Sequence, residues 1–262
     1  MRPRPLGKTG LTVSPLALGT VKFGRTQGLK YPASFELPSD SACRQLLDLA
    51  AERGVNTIDT APAYGSSEDR LGRLLKGQRE RWVVCSKAGE EFVDGVSLFD
   101  FSPETVVRSL ERSLRRLGTD RVDVLLLHSD GKVELELEQR GLVDALNDVQ
   151  RRGLARAVGV SVKSLAGAMA CVERFGVVMV TLNRRDRSCE PAIERAQDRG
   201  VGVLVKKALA SGHEPEALSF ALGHAGVSSV VVGTIDPAHL AANCDVADAA
   251  DRPDTGAATP IP

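Results

Sequence analysis

The chain has 262 residues, with 34 basic and 34 acidic side chains and so a formal net charge of zero. A length near ~250 residues suits one large α/β domain, and a balanced charge without a basic stripe argues against nucleic acid or an anionic membrane as the main partner. Cys43, Cys85, Cys171, Cys189 and Cys244 are widely spaced and form no CxxC pair, so they suggest neither a zinc site nor a disulfide framework, only the reduced thiols of a cytoplasmic protein.

Met1-Arg2-Pro3-Arg4-Pro5 is not followed by an apolar stretch, so no signal peptide is expected, and no run approaches the ~20 apolar residues of a membrane span. Residues 4–13, with Lys8-Thr9-Gly10 in the middle, read as a small β-hairpin. Strand signals then recur at 15–19, 56–59, 82–87, 122–128, 157–161, 177–182, 202–206 and 229–233. They are short, apolar and rich in valine and leucine, as strands buried on both faces are. Residues 23–38 lack periodicity and read as a loop over the mouth. Amphipathic helix signals fall between the strands at 39–53, 67–75, 103–117, 138–152, 164–175, 190–199, 214–223 and 236–247. Ser39 is placed to cap the first of these; Ser102 at N-cap, Pro103 at N1 and Gly118 just past the end bound the third.

Strict strand–helix alternation implies parallel strands with right-handed crossovers, and eight units close into a (β/α)8 barrel, with an open doubly wound sheet as the rival. The hairpin would then plug the barrel floor. Residues 1–248 form the expected single domain, and 249–262, rich in Ala, Asp, Pro, Thr and Gly, a loosely ordered tail.

Asp59, Tyr64, Lys87 and His128 each lie just past an apolar run. In a closed parallel barrel all strand C-termini open on one face, so these side chains are expected to meet. A free phenol has a pKa near ~10 and needs a neighbouring cation to give up its proton near neutrality. Lys87 is that cation, Asp59 its counter-charge, and His128 a group to polarise a carbonyl or share the proton. Each residue alone has a plainer reading as packing, rim or cap; their joint placement points to acid–base chemistry on a C=O or C–OH group.

Asp59-Thr60-Ala61-x-x-Tyr64-Gly65-x-Ser67-Glu68, Ser86-Lys87 and Leu127-His128 resemble the aldo-keto reductase family. So do Arg4-Pro5-Leu6-Gly7-Lys8-Thr9-Gly10-Leu11 and the stretch from Ser102-Pro103-Glu104-Thr105 to Gly118-Thr119-Asp120, and the likeness runs to about Asn243. The resemblance implies a (β/α)8 barrel, a nicotinamide cofactor across its C-terminal face and hydride transfer to an aldehyde or ketone, or the reverse. Tyr64 would be the acid, Asp59 and Lys87 its tuning pair, and His128 the carbonyl-orienting residue. The cofactor would touch Gly19, Thr20, Ser161, Lys206, Lys207, Leu209, Ser211, Gly233, Thr234, His239 and Asn243.

The chain departs from the family pattern on this cofactor side. In Gly159-Val160-Ser161-Val162 only Ser161 can hold a carboxamide; Met179 stands where a glutamine is usual, and Lys206 where an aromatic ring often stacks. Relatives that prefer NADP often carry Lys or Arg in the segment matching Gly233-Thr234-Ile235-Asp236-Pro237, which here offers only His239 as a cation. Amides at the following helix N-terminus suit a phosphate. The family habit makes NADP(H) the expected cofactor and NAD(H) the alternative. Phe23, Tyr31, Phe35, Phe92, Phe99 and Phe101 lie in loops that would wall the substrate pocket. The loop usual after the last helix is nearly absent, which predicts an open pocket in a monomer or small homo-oligomer. A cofactor-binding sensor with weak or no catalysis is the rival reading; the degraded carboxamide clamp motivates it and the intact four-residue set opposes it. No metal site is expected.

Overall fold

The computed structural model describes residues 1–29, 34–209 and 215–250. Two short strands, β1 (Arg4–Pro5) and β2 (Thr12–Val13), pair antiparallel before the first repeat. Eight parallel strands follow in a closed ring: β3 (Leu16–Gly19), β4 (Thr57–Asp59), β5 (Val83–Ala88), β8 (Val122–His128), β9 (Ala155–Ser161), β10 (Val177–Thr181), β11 (Gly202–Lys206) and β12 (Ser229–Gly233), which pairs back to β3. The gap in numbering is a separate hairpin, β6 (Glu90–Val93) and β7 (Val96–Phe99), which the sequence reading passed over.

The helices lie outside the ring. They are α1 (Val21–Gly24), α2 (Asp40–Glu52), α3 (Ser67–Leu74), α4 (Pro103–Leu117), α5 (Leu142–Arg151), α6 (Leu165–Val172), α7 (Glu190–Arg199), α8 (Pro215–Leu222) and α9 (Pro237–Ala250). Ser39 caps α2, its side chain accepting from the Ala42 amide at 3.1 Å. At α4 the expected cap is corrected: Ser102 holds the N-cap position but makes no capping bond, and Asp100 accepts from the Ser102 amide and the Thr105 hydroxyl instead. Gly118 ends α4 in the left-handed conformation that glycine adopts without penalty. Helix α5 begins at Leu142, after a 3-10 turn at Val133–Leu135, so its predicted first turn is not helical. The expected loop from residue 23 onward begins with the last residues of helical turn α1.

Alternation along the strands divides the apolar residues into two cores. One lies between strands and helices and contains Leu18, Ile58, Val84, Leu125, Leu127, Val160 and Val203. The other fills the barrel and contains Cys85, Val124, Leu126, Ala157, Met179 and Leu204. Leu6, Leu11 and Val13 of the N-terminal hairpin belong to this inner core, so the hairpin closes the floor as expected. Gly7 is obligatory there: its φ is +55°, and a Cβ would stand 2.4 Å from the Gly202 nitrogen. The opposite end of the interior is polar, because the last inward residue of successive strands is Asp59, Lys87, His128, Ser161 and Lys206.

All five cysteines are free and buried. No described helix is long and apolar enough to cross a membrane. Helix α9 runs to Ala250, two residues past the expected domain edge, and the tail from 251 on lies outside the described residues.

Candidate active site

The C-terminal rim brings the four predicted catalytic residues together. Lys87 Nζ donates to Asp59 Oδ1 at 2.6 Å, to the Thr60 carbonyl at 3.0 Å and to the Tyr64 hydroxyl at 3.1 Å. Its three N–H bonds are thus all engaged, as a buried ammonium requires. Tyr64 reaches the other carboxylate oxygen of Asp59 at 3.4 Å. The His128 ring stands edge-on to the Tyr64 ring, with centroids 6.2 Å apart.

Local backbone explains how Tyr64 gets there. A 3-10 turn at Pro62–Tyr64 lifts the chain off β4 and ends at Gly65. Gly65 has φ +60°, and a Cβ on it would lie 2.1 Å from the Gly24 carbonyl oxygen. The Tyr-Gly pair is therefore one unit: only glycine lets the loop double back against α1. Thr20 braces the same corner, its hydroxyl donating to the Asp59 carbonyl at 2.9 Å and accepting from Ser67 at 2.8 Å. That hydroxyl serves the loop rather than an open cleft.

Burial pushes the Tyr64 phenol above its ordinary pKa; Lys87 opposes this, but Asp59 adds to it. The expected net lowering by Lys87 is thus corrected, since desolvation outweighs the ammonium. Burial is the largest single influence on Lys87 and works against its charge, but Asp59, Tyr64 and Cys85 together outweigh it and keep its pKa raised. At neutral pH the site holds an ion pair and a protonated phenol.

His128 has a partner that sequence reasoning missed. Glu90 Oε2 lies 2.6 Å from His128 Nδ1. The oxygen sits off the ring N–H axis, so Nδ1 makes a short charge contact rather than a linear hydrogen bond. Glu90 Oε1 accepts from the Ser97 hydroxyl at 2.6 Å. Burial works against the Glu90 charge, yet His128, Ser97 and Arg25 together pull its carboxyl down to about 2. The signal was available: Asp94-Gly95, both at positive φ, sits between Glu90-Glu91-Phe92-Val93 and Val96-Ser97-Leu98-Phe99. An Asp-Gly pair between alternating segments is the strongest short-range mark of a hairpin.

The predicted cofactor residues divide. Lys206 Nζ donates to the Ser161 hydroxyl at 2.9 Å and to the Val162 carbonyl at 2.7 Å. Among the described residues no carboxylate pairs with it, and burial, with Lys207 and Lys87 nearby, lowers its pKa to about 7. Met179 is packed in the barrel interior. Gly19 and Gly233 are strand partners and leave the rim low between β3 and β12. Lys207 is exposed, with its backbone at φ +58°, and Leu209 is half-buried. Ser211 lies outside the described residues. Thr234 accepts from the Asp236 amide at 3.0 Å. Asp236 in turn accepts from the amides of Ala238 at 2.8 Å and His239 at 3.4 Å. The helix N-terminal amides expected for a phosphate are thus taken by the chain's own carboxylate. His239 is half-exposed, its Nδ1 3.8 Å from Asp236. Asn243 is buried on α9, with Nδ2 lacking a hydrogen-bond partner.

The aromatic walls are fewer than expected. Phe23 is fully buried in the outer core, Phe101 packs over Gly89, and Tyr31 lies outside the described residues. Phe99 is exposed and stacks on Phe101. These two line a cleft of about 410 Å3 with Asp100, Asp130 and Arg140, and none of the four predicted catalytic residues lines it.

The family model for the aldo/keto reductase family matches residues 15–216. The chain belongs to this family. A Pseudomonas aeruginosa structure, provisionally described as an aldo-keto reductase, superposes with a TM-score of 0.88 at 48% identity, covering 95% of this chain and 94% of that one. L-Galactose dehydrogenase of Arabidopsis thaliana is 31% identical over 221 residues, which is 80% of this chain and 66% of that protein. NADH-specific methylglyoxal reductase of Escherichia coli is 32% identical over 175 residues, 62% of this chain and 52% of the relative. The chain thus spans between about half and about two thirds of the length of these two curated relatives. Aldo-keto reductases use nicotinamide cofactors, and both relatives carry oxidoreductase names.

Proposed function

We propose that this aldo-keto reductase interconverts a small aldehyde or ketone and its alcohol with a bound nicotinamide cofactor. The observation that carries the reading is the 3.1 Å contact of Lys87 Nζ with the Tyr64 hydroxyl, inside a pocket where Asp59 neutralises the ammonium. Lys87 donates to the phenol oxygen, and the Tyr64 proton, held only by a 3.4 Å bond to Asp59 Oδ2, is the one a substrate oxygen would draw away. The nicotinamide supplies or accepts hydride when bound. The protein's part is to hold the substrate oxygen between Tyr64 and His128 and to move one proton. The intact four-residue cluster and the enzyme names of the relatives speak against the sensor reading.

The cofactor side fits such a group. Lys206 and Ser161 form a polar pair on the rim beside His128, in place of the missing amide clamp, and suit the carboxamide. The low rim at Gly19 and Gly233 leaves room for the chain of the cofactor. Asn243 Nδ2, buried and unpartnered, is a donor waiting for an acceptor such as an adenine nitrogen. Asp236 favours NAD(H) over NADP(H), because a carboxylate at the helix N-terminus accepts from a ribose hydroxyl and repels a 2′-phosphate. The NADH-specific name of the Escherichia coli relative agrees with this preference. Titrating NADH and NADPH by fluorescence tests the choice, with NADH expected to bind tighter by about tenfold or more. Turnover of an aldehyde panel, with Tyr64→Phe as control, tests the reaction; unchanged turnover in that variant removes Tyr64 from it.

A further inference from the structure

Lys87 and Lys206 both bring an amine to the barrel mouth, and they are held on different terms. Lys87 Nζ donates to three acceptors, one of them the Asp59 carboxylate at 2.6 Å. Lys206 Nζ donates to two, the Ser161 hydroxyl at 2.9 Å and the Val162 carbonyl at 2.7 Å, and both are uncharged. Glu134 attracts Lys206, but the oxygens of Glu134 are taken by the Ser129 and Ser164 hydroxyls and the Lys163 amide. An ammonium has three N–H bonds and a neutral amine two. Lys87 therefore needs its full set of protons to keep its contacts, whereas Lys206 can lose one and keep both hydrogen bonds. Burial lowers the Lys206 pKa to about 7, with Lys207, Lys87 and Lys163 adding to the effect.

A nicotinamide ring comes to the same place. Hydride transfer needs reacting atoms about 3–3.5 Å apart. The substrate carbon is bonded to the oxygen held by Tyr64 and His128, so the ring lies at the mouth beside them. The β4–β5 side is filled by the contacts among Lys87, Asp59 and Tyr64, while Gly19 and Gly233 leave the rim low between β3 and β12. Ser161, which accepts from Lys206, is registered opposite His128 in the β8–β9 ladder, one strand spacing of about 4.8 Å away. A ring within reach of His128 is thus within reach of Lys206. The reduced ring is neutral and the oxidised ring is a cation. Like charges a few ångströms apart in a partly dry pocket repel strongly.

We propose that Lys206 reads the charge of the nicotinamide ring. As an ammonium it admits the neutral reduced ring and opposes the oxidised one, which binds well only once an Nζ–H bond breaks and the proton passes to solvent. The inference rests on the oxidoreductase reading above. It makes Lys206 a selector of cofactor redox state as well as a holder of the ring. When hydride leaves the ring, a positive charge appears beside Lys206, so acid favours release of the used cofactor. In the opposite direction, alkali favours loading of NAD⁺. The charged or titratable groups facing Lys206 are Lys87 from β5, His128 from β8, Lys163 past β9, the adjacent Lys207, Cys189 ahead of α7 and Glu134 from the 3-10 turn before α5. Lys87 is neutralised by Asp59, Lys207 is exposed to water, and Lys163 stands over the Phe99 ring. The unscreened charge at the mouth is that of Lys206.

Calorimetric titration of the full chain with NADH and with NAD⁺ at pH 6, 7 and 8 tests this. The ratio of the NAD⁺ Kd to the NADH Kd is expected to be about tenfold larger at pH 6 than at pH 8, because the neutral fraction of a group titrating near 7 changes by about that factor. At pH 6, heats in buffers of different ionisation enthalpy should show about one proton released per NAD⁺ bound and none per NADH. These two measurements need no variant. In Lys206→Met the ratio should be the same at pH 6 and pH 8, and the proton release should vanish. Lys206→Arg keeps a charge that does not titrate in this range, so its ratio should stay high at both pH values. A ratio that does not change with pH in the unaltered protein overturns the proposal. So does a pH-dependent ratio that survives Lys206→Met, which assigns the effect to another group such as His128. If Lys206 instead meets the cofactor phosphates, both nucleotides weaken together as pH rises and the ratio stays flat, and that result overturns it too. Failure of both nucleotides to bind at any pH removes the nicotinamide reading and this proposal with it. Tight NADH binding with a flat ratio removes this proposal alone.

Discussion

The two halves of the barrel rim are built on opposite terms. On the β4–β5–β8 side the charged groups are paired within the chain: Lys87 has three partners, Asp59 is paired, and Glu90 has one group on each oxygen. On the β9–β11–β12 side the groups are incomplete. Among the described residues Lys206 has hydrogen bonds but no counter-charge, and Asn243 Nδ2 has no hydrogen-bond partner. The closed half can hold its geometry without help, which suits groups that must meet a transition state at fixed distance. The open half is finished by whatever binds there. Asp236 complicates the contrast, since it closes on its own helix and so narrows what the open half accepts.

The contrast can be broken at several points. The largest effect is expected at Tyr64→Phe, which removes the proton donor and leaves the ion pair; kcat should fall by about 10²–10⁴-fold while NADH affinity, read by fluorescence, stays near its original value. Asp59→Asn strikes the closed half at its counter-charge. It leaves Lys87 buried without a carboxylate, and urea unfolding should show a loss of roughly 3–5 kcal/mol, the usual cost of breaking a buried pair from one side. The opposite sign is expected at Lys206→Met. The folded pKa of Lys206, about 7, lies below its ordinary 10.5, so the folded state resists the proton that the unfolded chain takes up. That penalty is complete below pH 7 and fades as pH rises toward 10.5. Lys206→Met should therefore stabilise the protein at pH 6–7, by an amount that shrinks in alkali, while weakening NADH binding by about tenfold for a lost hydrogen bond. The smallest effect belongs to Asn243→Ala: little change in stability, because its amide nitrogen has no partner to lose, and a severalfold weaker grip on NADH or AMP, measured by calorimetry.

The closed half was also the more legible one in the sequence. Asp59, Lys87 and His128 end strands whose apolar runs announce them, and barrel geometry supplies the convergence. Tyr64 was legible through Tyr64-Gly65, because the turn admits no side chain at residue 65. Glu90 was not, although Asp94-Gly95 marked its hairpin: the strand runs on either side are short, and Glu90-Glu91 looks like solvated charge until the fold turns it inward. On the open half, sequence identified Lys206 and Ser161 but not that they bind each other, since that contact spans 45 residues and skips a strand. The hydroxyl of Thr20 and the amides before α9 were assigned to a ligand and proved to be used by the chain. Local hydrogen bonds from Thr and Asp compete for such sites and cannot be separated from ligand contacts by residue type alone.

The β6–β7 hairpin shares no ladder with the barrel, so Glu90 reaches the centre from a detachable part. Its two-residue turn, Asp94-Gly95, is confined to residues that adopt positive φ, so the ribbon is held in shape by its own turn. A descendant that lost the acidic residue on this flap would keep the barrel, the ion pair and the phenol, yet would leave His128 Nδ1 without its carboxylate neighbour. The electrostatic setting of the rim imidazole is in that way open to editing on a peripheral ribbon, with the scaffold untouched.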